Sequence, residues 1–301
     1  MQILAAPIQE YTDAAFRNAH YSTIGGIDEY YIPFLRLENG LLSHRIEKDI
    51  APENNRCPCL VPQILVKNAS ETHELLEMLT ARDYRRIDFN FCCPFPKVTS
   101  RGYGSGILKF PRVIQEVLSE AAHYENIRFS AKLRLGMEHA DDCMALLPIL
   151  NDFPFEKIVL HPRTAKQQYM GIPDREVFRR FQEACQHNVI YNGDIICPAD
   201  AIGLDDIMIG RGLFANPLLP LTIRGQSFST TMLTDFHNAY VSECMKLYQQ
   251  PLLKLKLLWD YFLPDADKKL RKAIKKSVKI DDYLRYAAEA LFLKNDTEIR
   301  L

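Results

Sequence analysis

The sequence has almost no net charge and no long apolar run. Its 37 lysines and arginines nearly balance 38 aspartates and glutamates, which leaves a net charge of −1. The overall charge therefore gives no sign of nucleic-acid binding, and any such function must rest on a local basic patch. No stretch approaches the ~20 apolar residues that a membrane-spanning helix needs. The N-terminal MQILAAP lacks the basic start of a signal peptide, so we expect a cytoplasmic protein that makes no membrane contact.

The eight cysteines lack the paired C-x-x-C spacing of a structural zinc site, and we expect no metal. They are spread through a long chain, which favours reduced cytosolic thiols over a disulfide framework. They are Cys57, Cys59, Cys92, Cys93, Cys143, Cys185, Cys197 and Cys244. With 301 residues, the chain is long enough for one large α/β domain plus a small one, or for two ordinary domains.

Eight short β-type runs alternate with stretches of helical spacing. The predicted strands cover residues 2–6, 29–35, 60–65, 87–91, 128–134, 157–161, 188–192 and 206–210. The predicted helices begin near Thr12, with a cap at Thr12 or Asp13, and cover 70–81, 111–124, 139–150, 175–186 and 198–204. The helix over 70–81 opens with a capping-box pattern at Ser70. Strand followed by helix, repeated eight times, predicts an α/β fold of the (β/α)8 TIM-barrel type, with a small last connecting helix. The alternative is an open doubly wound sheet, but no G-x-G-x-x-G follows the first strand.

Functional side chains of such a barrel lie at the carboxyl ends of the strands. Lys132 is flanked by apolar residues in the fifth strand, so it needs a polar or anionic partner there. An ion pair with Asp88 or with another acid at a strand end is the structural alternative to a functional role. Cys92 and Cys93 follow the fourth strand, and they are either buried core residues or a site of proton chemistry.

The composition changes after the eighth strand. Residues 213–222 are rich in Pro and Leu and are predicted to form a linker, and residues from about 230 to 301 have helical patterns only. The predicted helix 268–279 carries seven basic residues and no acidic one, with an apolar stripe of Leu270, Ile274 and Val278. The last helix is predicted to turn Tyr283, Leu284, Ala287 and Leu291 inward. The basic face is either a solvated surface or a nucleic-acid contact.

Six blocks, in order along the barrel, together resemble the tRNA-dihydrouridine synthases, flavin-dependent enzymes that reduce a uridine in tRNA. The blocks are Ala6-Pro7-Ile8-Gln9 with Thr12-Asp13 and Phe16-Arg17; Asp88-Phe89-Asn90-Phe91-Cys92-Cys93-Pro94 with Lys97-Val98 and Gly104-Ser105-Gly106-Ile107-Leu108; Ala131-Lys132-Leu133-Arg134-Leu135-Gly136; His161-Pro162-Arg163-Thr164 with Tyr169; Asn192-Gly193-Asp194-Ile195; and Met208-Ile209-Gly210-Arg211-Gly212. The helical tail is most similar to the bacterial C-type subgroup. The chain departs from the family at Ile8, usually Met, and at Cys92, usually Gly, where a positive φ would strain a cysteine.

The resemblance implies FMN as the prosthetic group and NADPH as the hydride source. It implies an FMN-binding catalytic barrel over residues 1–225 and a helical tRNA-binding domain over 230–301. The residues expected to bind the cofactor are Pro7, Ile8, Gln9, Gln63, Lys132, His161, Asn192, Gly193, Asp194, Gly210 and Arg211. Those expected to bind the substrate are Arg36, Asn90, Arg134, Arg163 and Tyr169 at the barrel mouth, and Lys268, Lys272, Lys275, Lys276 and Lys279 in the tail.

In the implied reaction, hydride reaches C6 of the uracil and Cys93 protonates C5, under a Gly-rich loop that acts as a lid. His161 has three interpretations: a contact to the uracil edge, a contact to the cofactor phosphate, or a satisfied core histidine. Two rival functions remain open: an FMN barrel that acts on a free pyrimidine, and a barrel that only binds RNA. We expect a monomer, and the sequence leaves open which tRNA position is reduced.

Overall fold

Eight parallel strands close into a barrel in which every strand pairs with its neighbours in chain order. The structure is a computed structural model that describes residues 1–229 and 231–299, with side chains as far as Leu293. The strands are β1 Ile3–Ala5, β2 Glu29–Leu35, β3 Leu60–Ile64, β4 Arg86–Phe91, β5 Arg128–Arg134, β6 Phe155–His161, β7 Asn188–Tyr191 and β8 Ile207–Ile209. The predicted barrel is confirmed, and all eight carboxyl ends meet at one rim, the barrel mouth.

Helices fill the connections and continue past the last strand. They are α1 Ala14–Thr23, α2 His44–Ile50, α3 Ala69–Thr80, α4 Pro96–Thr99, α5 Pro111–Ala121, α6 Asp142–Ala145, α7 Leu147–Asp152, α8 Arg175–Ala184, α9 Arg211–Ala215, α10 Leu219–Ile223, α11 Met232–Leu247, α12 Pro251–Leu258, α13 Lys268–Lys276 and α14 Ile280–Ile299. Short 3₁₀ turns cover Pro52–Asn54, Gly104–Lys109 and Pro198–Ala201. The last of these is the connection between β7 and β8, which is as small as predicted.

Three local predictions are wrong. Helix α3 is capped by Asn68, whose side chain accepts from the N–H of Glu71, and not by Ser70. The helix predicted over 139–150 is two helices, α6 and α7, and a proline lies in the first turn of α7, where its missing N–H costs no helical hydrogen bond. Residues 213–222 are not a linker, because α9 and α10 occupy most of them and bury Leu213 and Leu219 in the core.

The barrel interior is apolar at its centre and ionic at its base. Side chains alternate along each strand, so every second residue points inward. The inward cluster consists of Leu4, Ala6, Tyr31, Val61, Val159, Ile190 and Met208. Near the amino ends of the strands, the Nζ of Lys157 lies 2.8 Å from a carboxylate oxygen of Glu29, and Arg86 binds the same oxygen at 2.9 Å. These ion pairs fill the amino-terminal end of the barrel, so the polar opening is at the mouth.

The helices after the barrel pack on its first helix. Phe236 of α11 lies 5.6 Å from Phe16 of α1, measured between ring centroids, and Glu243 accepts a hydrogen bond from Asn18 at 3.1 Å. The helical region is therefore joined to the barrel through buried contacts. None of the helices in the described part of the chain combines the length and the hydropathy of a membrane-spanning segment.

Two side chains of the tail do not lie where the pattern predicts. Helix α13 ends at Lys276, and Ser277 has an extended backbone, so Val278 leaves the apolar stripe and is 83% exposed. Leu284 is also exposed, while Tyr283, Ala287 and Leu291 are buried as predicted. Thr230, Arg300 and Leu301 belong to the predicted tail and lie outside the described residues.

Candidate active site

The barrel mouth gathers polar side chains from successive strand ends. Within the strands lie Gln63 (β3), Asn90 (β4), Lys132 and Arg134 (β5) and His161 (β6). Just beyond strand ends lie Pro7, Ile8 and Gln9, Arg36, Cys92 and Cys93, Arg163, Asn192, Gly193 and Asp194, and Gly210 and Arg211. Asn90 pairs in register with Lys132, and Arg134, two residues further along β5, pairs with His161, so the second pair lies above the first toward the rim. These residues of the predicted site therefore lie at the ends of the strands or just beyond them.

Asn90 holds the turn that carries the two cysteines. Its Oδ1 accepts the backbone N–H of Cys92 at 3.0 Å and that of Cys93 at 2.8 Å. Its Nδ2 donates to the Oε1 of Gln63 at 2.7 Å. Most of the hydrogen-bonding capacity of this amide is thus used inside the protein, and one N–H is left for a ligand.

Cys93 is a buried, protonated thiol. Its side chain is 8% exposed, and burial raises its pKa to about 11. The positive charges of Arg134 and Lys132 act in the opposite direction and lower the pKa. At neutral pH the thiol keeps its proton and can act as an acid, and the same cations stabilise the thiolate that remains.

The Gly-rich segment packs directly on this cysteine. The N–H and the hydroxyl of Ser105 both donate to the carbonyl of Cys93 at 3.0 Å. Gly104 has a φ of +57°, and a Cβ there would lie 2.6 Å from the same carbonyl oxygen. The segment predicted as a lid is therefore a buried 3₁₀ turn against Cys93, and only glycine fits its closest point.

The backbone of Cys92 is not strained. The strain considered from the sequence would have required a positive φ at this position, where the family usually has glycine. Cys92 is absent from the described residues with a positive φ. Its Sγ accepts a hydrogen bond from the Nζ of Lys132 at 3.2 Å. The alternative partner of this lysine, Asp88, instead accepts from Gln63 and Ser130, each at 2.6 Å.

Arginines form the far side of the mouth. Arg134 donates to the carbonyls of Cys92, Thr164 and Gln168 at 2.7–3.0 Å, which leaves it 1% exposed. Arg163 donates to both carboxylate oxygens of Asp194. The predicted base contacts Arg134 and Arg163 are thus largely engaged with protein atoms.

Asp194 is shared by two arginines and lies at a left-handed backbone position, with a φ of 43°. The guanidinium of Arg211 binds it at 2.9 Å. Burial raises the pKa of Asp194, but the hydrogen bonds and charges of Arg163 and Arg211 outweigh that effect and hold it below its usual value. The carboxylate is therefore ionised, and its oxygens are bound by the guanidinium groups of Arg163 and Arg211.

Tyr169 lies between two guanidinium groups. Its ring centroid is 5.4 Å from the Cζ of Arg134 and 4.6 Å from that of Arg211. The ring is 45% exposed and meets His161 edge-on at 6.3 Å. A flat, half-exposed ring fixed in this way is a surface on which a base can stack.

His161 is neutral. Burial, with the charges of Lys132, Arg134 and Arg163, holds its pKa well below the usual value. Its Nδ1 lies 3.4 Å from the Oδ1 of Asn192, whose Nδ2 donates to the carbonyl of Met208. With its Nδ1–H directed at Asn192, the ring has Nε2 as its acceptor, and the Nη1 of Arg163 lies 3.5 Å from that atom.

The other predicted contacts lie around the mouth and on the tail. Arg36 is paired with Glu38 at 2.5 Å and lies over the ring of Tyr103. The five lysines of the basic face, Lys268, Lys272, Lys275, Lys276 and Lys279, are all exposed. One of them, Lys275, is paired with Asp260 of the tail at 2.5 Å.

A cleft of about 280 Å³ separates the mouth from the tail helices. Its lining consists of Gln9, Glu10, Asp13, Pro33, Arg45, Ile46, Asp49, Tyr248, Gln250, Leu253, Lys254 and Leu257. Lys254 of α12 binds Asp13 at 2.6 Å across it. Sequence reasoning missed this cleft, since its two walls are more than 190 residues apart along the chain.

Sequence reasoning also missed Ser130, and it considered Asp88 only as a partner for Lys132. Both are buried polar residues inside the barrel. The available signal was their position, because Asp88 stands two residues before Asn90 and Ser130 two before Lys132, on the same inward faces.

Comparison with known proteins gives a consistent result. A family model described as "Dihydrouridine synthase (Dus)" matches residues 3–300. The chain is 31% identical over 238 residues to a tRNA-dihydrouridine(16) synthase of Pseudomonas syringae pv. tomato, covering 72% of this chain and 73% of the relative. It is 28% identical over 246 residues to the tRNA-dihydrouridine(16) synthase of Ralstonia nicotianae, covering 75% and 73%.

Solved structures share the barrel. A mutant of morphinone reductase in complex with tetrahydroNAD superposes with a TM-score of 0.53 at 11% identity, covering 78% of this chain and 90% of the other. A variant of NCR from Zymomonas mobilis gives 0.53 at 10% identity, covering 79% and 92%. At such identities the likeness concerns the fold alone.

Proposed function

The chain belongs to the dihydrouridine synthase family, and on that premise we propose that it reduces a uridine of tRNA to 5,6-dihydrouridine, with FMN as prosthetic group and NADPH as reductant. The observation that carries the proposal is Cys93, a buried protonated thiol on a turn at the barrel mouth. A proton donor is what reduction of a carbon–carbon double bond by hydride requires, because the second carbon must be protonated.

The residues at the mouth fit a flavin. Within the described chain, two buried polar atoms there have no hydrogen-bond partner, the Oε1 of Gln9 and the Nε of Arg163. Buried polar groups are rarely left unpaired, so both point to a polar ligand. The donor set also suits an anionic cofactor, with the cations of Lys132 and Arg211 at strand ends of the same rim.

FMN, when bound, would supply hydride to C6 of the uracil. The residues proposed to hold it are Pro7, Ile8, Gln9, Gln63, Lys132, His161, Asn192, Gly193, Asp194, Gly210 and Arg211. Cys93 would donate its Sγ proton to C5, so that the C5=C6 double bond gains one hydride and one proton. The thiolate left on Cys93 is stabilised by the charges of Arg134 and Lys132, and it recovers a proton from water.

The uracil would be oriented by Asn90, Arg134, Arg163 and Tyr169. Tyr169 is the surface best placed for stacking, because it is half exposed and held by two arginines. A uridine in folded tRNA must first leave its stack, which costs a few kcal/mol. Stacking on Tyr169 at about 1–3 kcal/mol would offset much of that cost.

The rest of the tRNA would lie on the tail. We assign residues 1–225 to the catalytic barrel and 230–301 to tRNA binding, with the five lysines of the basic face and Arg36 as contacts to phosphates. The names of the curated relatives specify position 16, which makes uridine 16 the position to examine first.

The experiment is reduction of unmodified, transcribed tRNA by the purified protein with NADPH or NADH, followed by mapping of dihydrouridine. We expect a yellow protein that forms dihydrouridine in tRNA, and a Cys93→Ala variant that retains the colour and loses the product. Reduction of free uracil with no product in tRNA would support a pyrimidine dehydrogenase instead. A colourless protein that binds tRNA without reducing it would support a non-catalytic function.

A further inference from the structure

A continuous line of hydrogen bonds runs over three neighbouring strands, β5, β4 and β3, and ends at the cysteine turn. Ser130 Oγ donates to one oxygen of Asp88 at 2.6 Å, and Gln63 Nε2 donates to the other at 2.6 Å. Asn90 Nδ2 donates to Gln63 Oε1 at 2.7 Å. The backbone N–H of Cys93 then donates to Asn90 Oδ1 at 2.8 Å. Every bond in this line joins residues of different strands or of the turn after β4.

The two amides in the middle of the line, those of Gln63 and Asn90, do not by themselves determine which way they face, with the oxygen or with the nitrogen toward a given neighbour. The oxygen and nitrogen ends of Gln63 and Asn90 have nearly the same shape, so each amide can be rotated by half a turn. The orientation of both amides must therefore be set by groups that can act only as donors or only as acceptors. The backbone N–H of Cys93 can only donate, and the ionised carboxylate of Asp88 can only accept.

Because these two groups stand at opposite ends, only one arrangement satisfies all the bonds. We propose that Asp88 is a positioning residue, which fixes the amide of Gln63, through it the amide of Asn90, and so the place of the Cys93 backbone. The effect of Asp88 on catalysis rests on the proposed function of Cys93. Its effect on the geometry of the cysteine turn does not depend on that function.

The surroundings leave no substitute for Asp88. Its side chain is fully buried, and Gln63, Asn90 and Ser130 are at most 5% exposed. Water therefore cannot supply the acceptor that Gln63 would lose. Once free, the amide of Gln63 can turn its nitrogen toward Asn90, where two donors would face each other.

Two substitutions separate this role from a general effect on stability. Asp88→Leu keeps the approximate size and removes both acceptors. Asp88→Asn keeps an oxygen for Gln63, because the hydroxyl of Ser130 can reverse and accept from the new amide nitrogen. The line of hydrogen bonds should therefore no longer position the Cys93 backbone in the leucine variant, and it should still do so in the asparagine variant.

The measurement is residue-resolved hydrogen exchange of the backbone amides of Cys92 and Cys93, with the amides of β7 as the internal control. We expect Asp88→Leu to speed exchange at the two cysteines by about tenfold or more while β7 is unchanged, and Asp88→Asn to stay within about threefold of the parent. Unchanged exchange at the cysteines in Asp88→Leu, or equal acceleration in β7, would overturn the proposal. If Asp88→Leu does not fold, Gln63→Met interrupts the line at the next residue, and the same pattern is expected.

Activity gives the second readout. In Asp88→Leu we expect kcat for tRNA reduction to fall by roughly tenfold or more with little change in KM, and in Asp88→Asn to recover. A parent protein that forms no dihydrouridine refutes the proposed function, while the exchange measurement still decides the role of Asp88.

Discussion

The Nζ of Lys132 lies 3.2 Å from the Sγ of Cys92, and both side chains are buried. The carbonyl of the same cysteine is held by the Nε of Arg134 at 3.0 Å. Cys92 is therefore anchored to β5 at its side chain and at its backbone. This gives Cys92 a structural place beside a lysine, separate from the acid role proposed for Cys93.

The two cysteines should respond differently to substitution. Cys93→Ala removes the proposed proton donor and should lower dihydrouridine formation by about 10²–10⁴-fold. Cys92→Ala removes a contact to Lys132 and should leave most of the activity. Product formation by the two variants under identical conditions checks this, and a larger loss in Cys92→Ala would reverse the assignment.

Asp88 should make stability depend on pH in an unusual direction. Burial raises its pKa from 3.8 to about 6, against the lowering effects of Ser130, Gln63 and Lys132 and with a small further rise from Glu29. A raised pKa in the folded state means that its favourable contribution is complete below about pH 4 and is lost as the pH rises through 6. That loss is about 3 kcal/mol.

Urea unfolding of the parent and of Asp88→Asn at pH 4, 5, 6 and 7 measures this contribution. The asparagine does not titrate, so the free energy of unfolding of the parent relative to the variant should decrease across this range. A difference that is flat, or that grows with pH, would contradict the raised pKa.

Gly104 and Gly102 form a matched pair for the segment over Cys93. Both have a positive φ, of 57° and 79°, so alanine strains the backbone at either position. Only at Gly104 would the new Cβ meet the carbonyl of Cys93, while at Gly102 nothing lies within 4 Å. Gly104→Ala should therefore cost more in unfolding free energy than Gly102→Ala, by roughly 1–3 kcal/mol, and should also lower activity. Equal costs would show that the segment does not depend on its close approach to Cys93.

The basic face should contribute to tRNA affinity in a salt-dependent way. Lys268→Glu with Lys272→Glu should weaken tRNA binding and reduce the slope of log K against log salt by roughly 0.7–0.9 for each phosphate contact that is lost. The control is Arg85→Glu with Arg128→Glu, which makes the same charge change at exposed positions beside the starts of β4 and β5. Equal effects of the two double variants, measured by titration at several salt concentrations, would mean that only net charge matters.

The positions of the site residues could be predicted because they follow from order along the chain. Parallel strands bring their carboxyl ends to one rim, so Asn90, Lys132 and His161 had to meet there once the eight strands were identified. The tail was harder, because an apolar stripe does not show where a helix stops. Ser277 ends α13 early and sends Val278 into solvent.

By itself, the sequence determined the barrel, the level at which its polar residues lie, and the cysteine pair at the end of β4, because alternation along a strand is a local property. Only the tertiary structure decided what each polar atom binds. Gln63 and Asp88 are 25 residues apart in the chain and 2.6 Å apart in space, and the cleft at Gln9 needs a wall from α12. Such contacts depend on strand register and on the packing of distant helices, which no local pattern records.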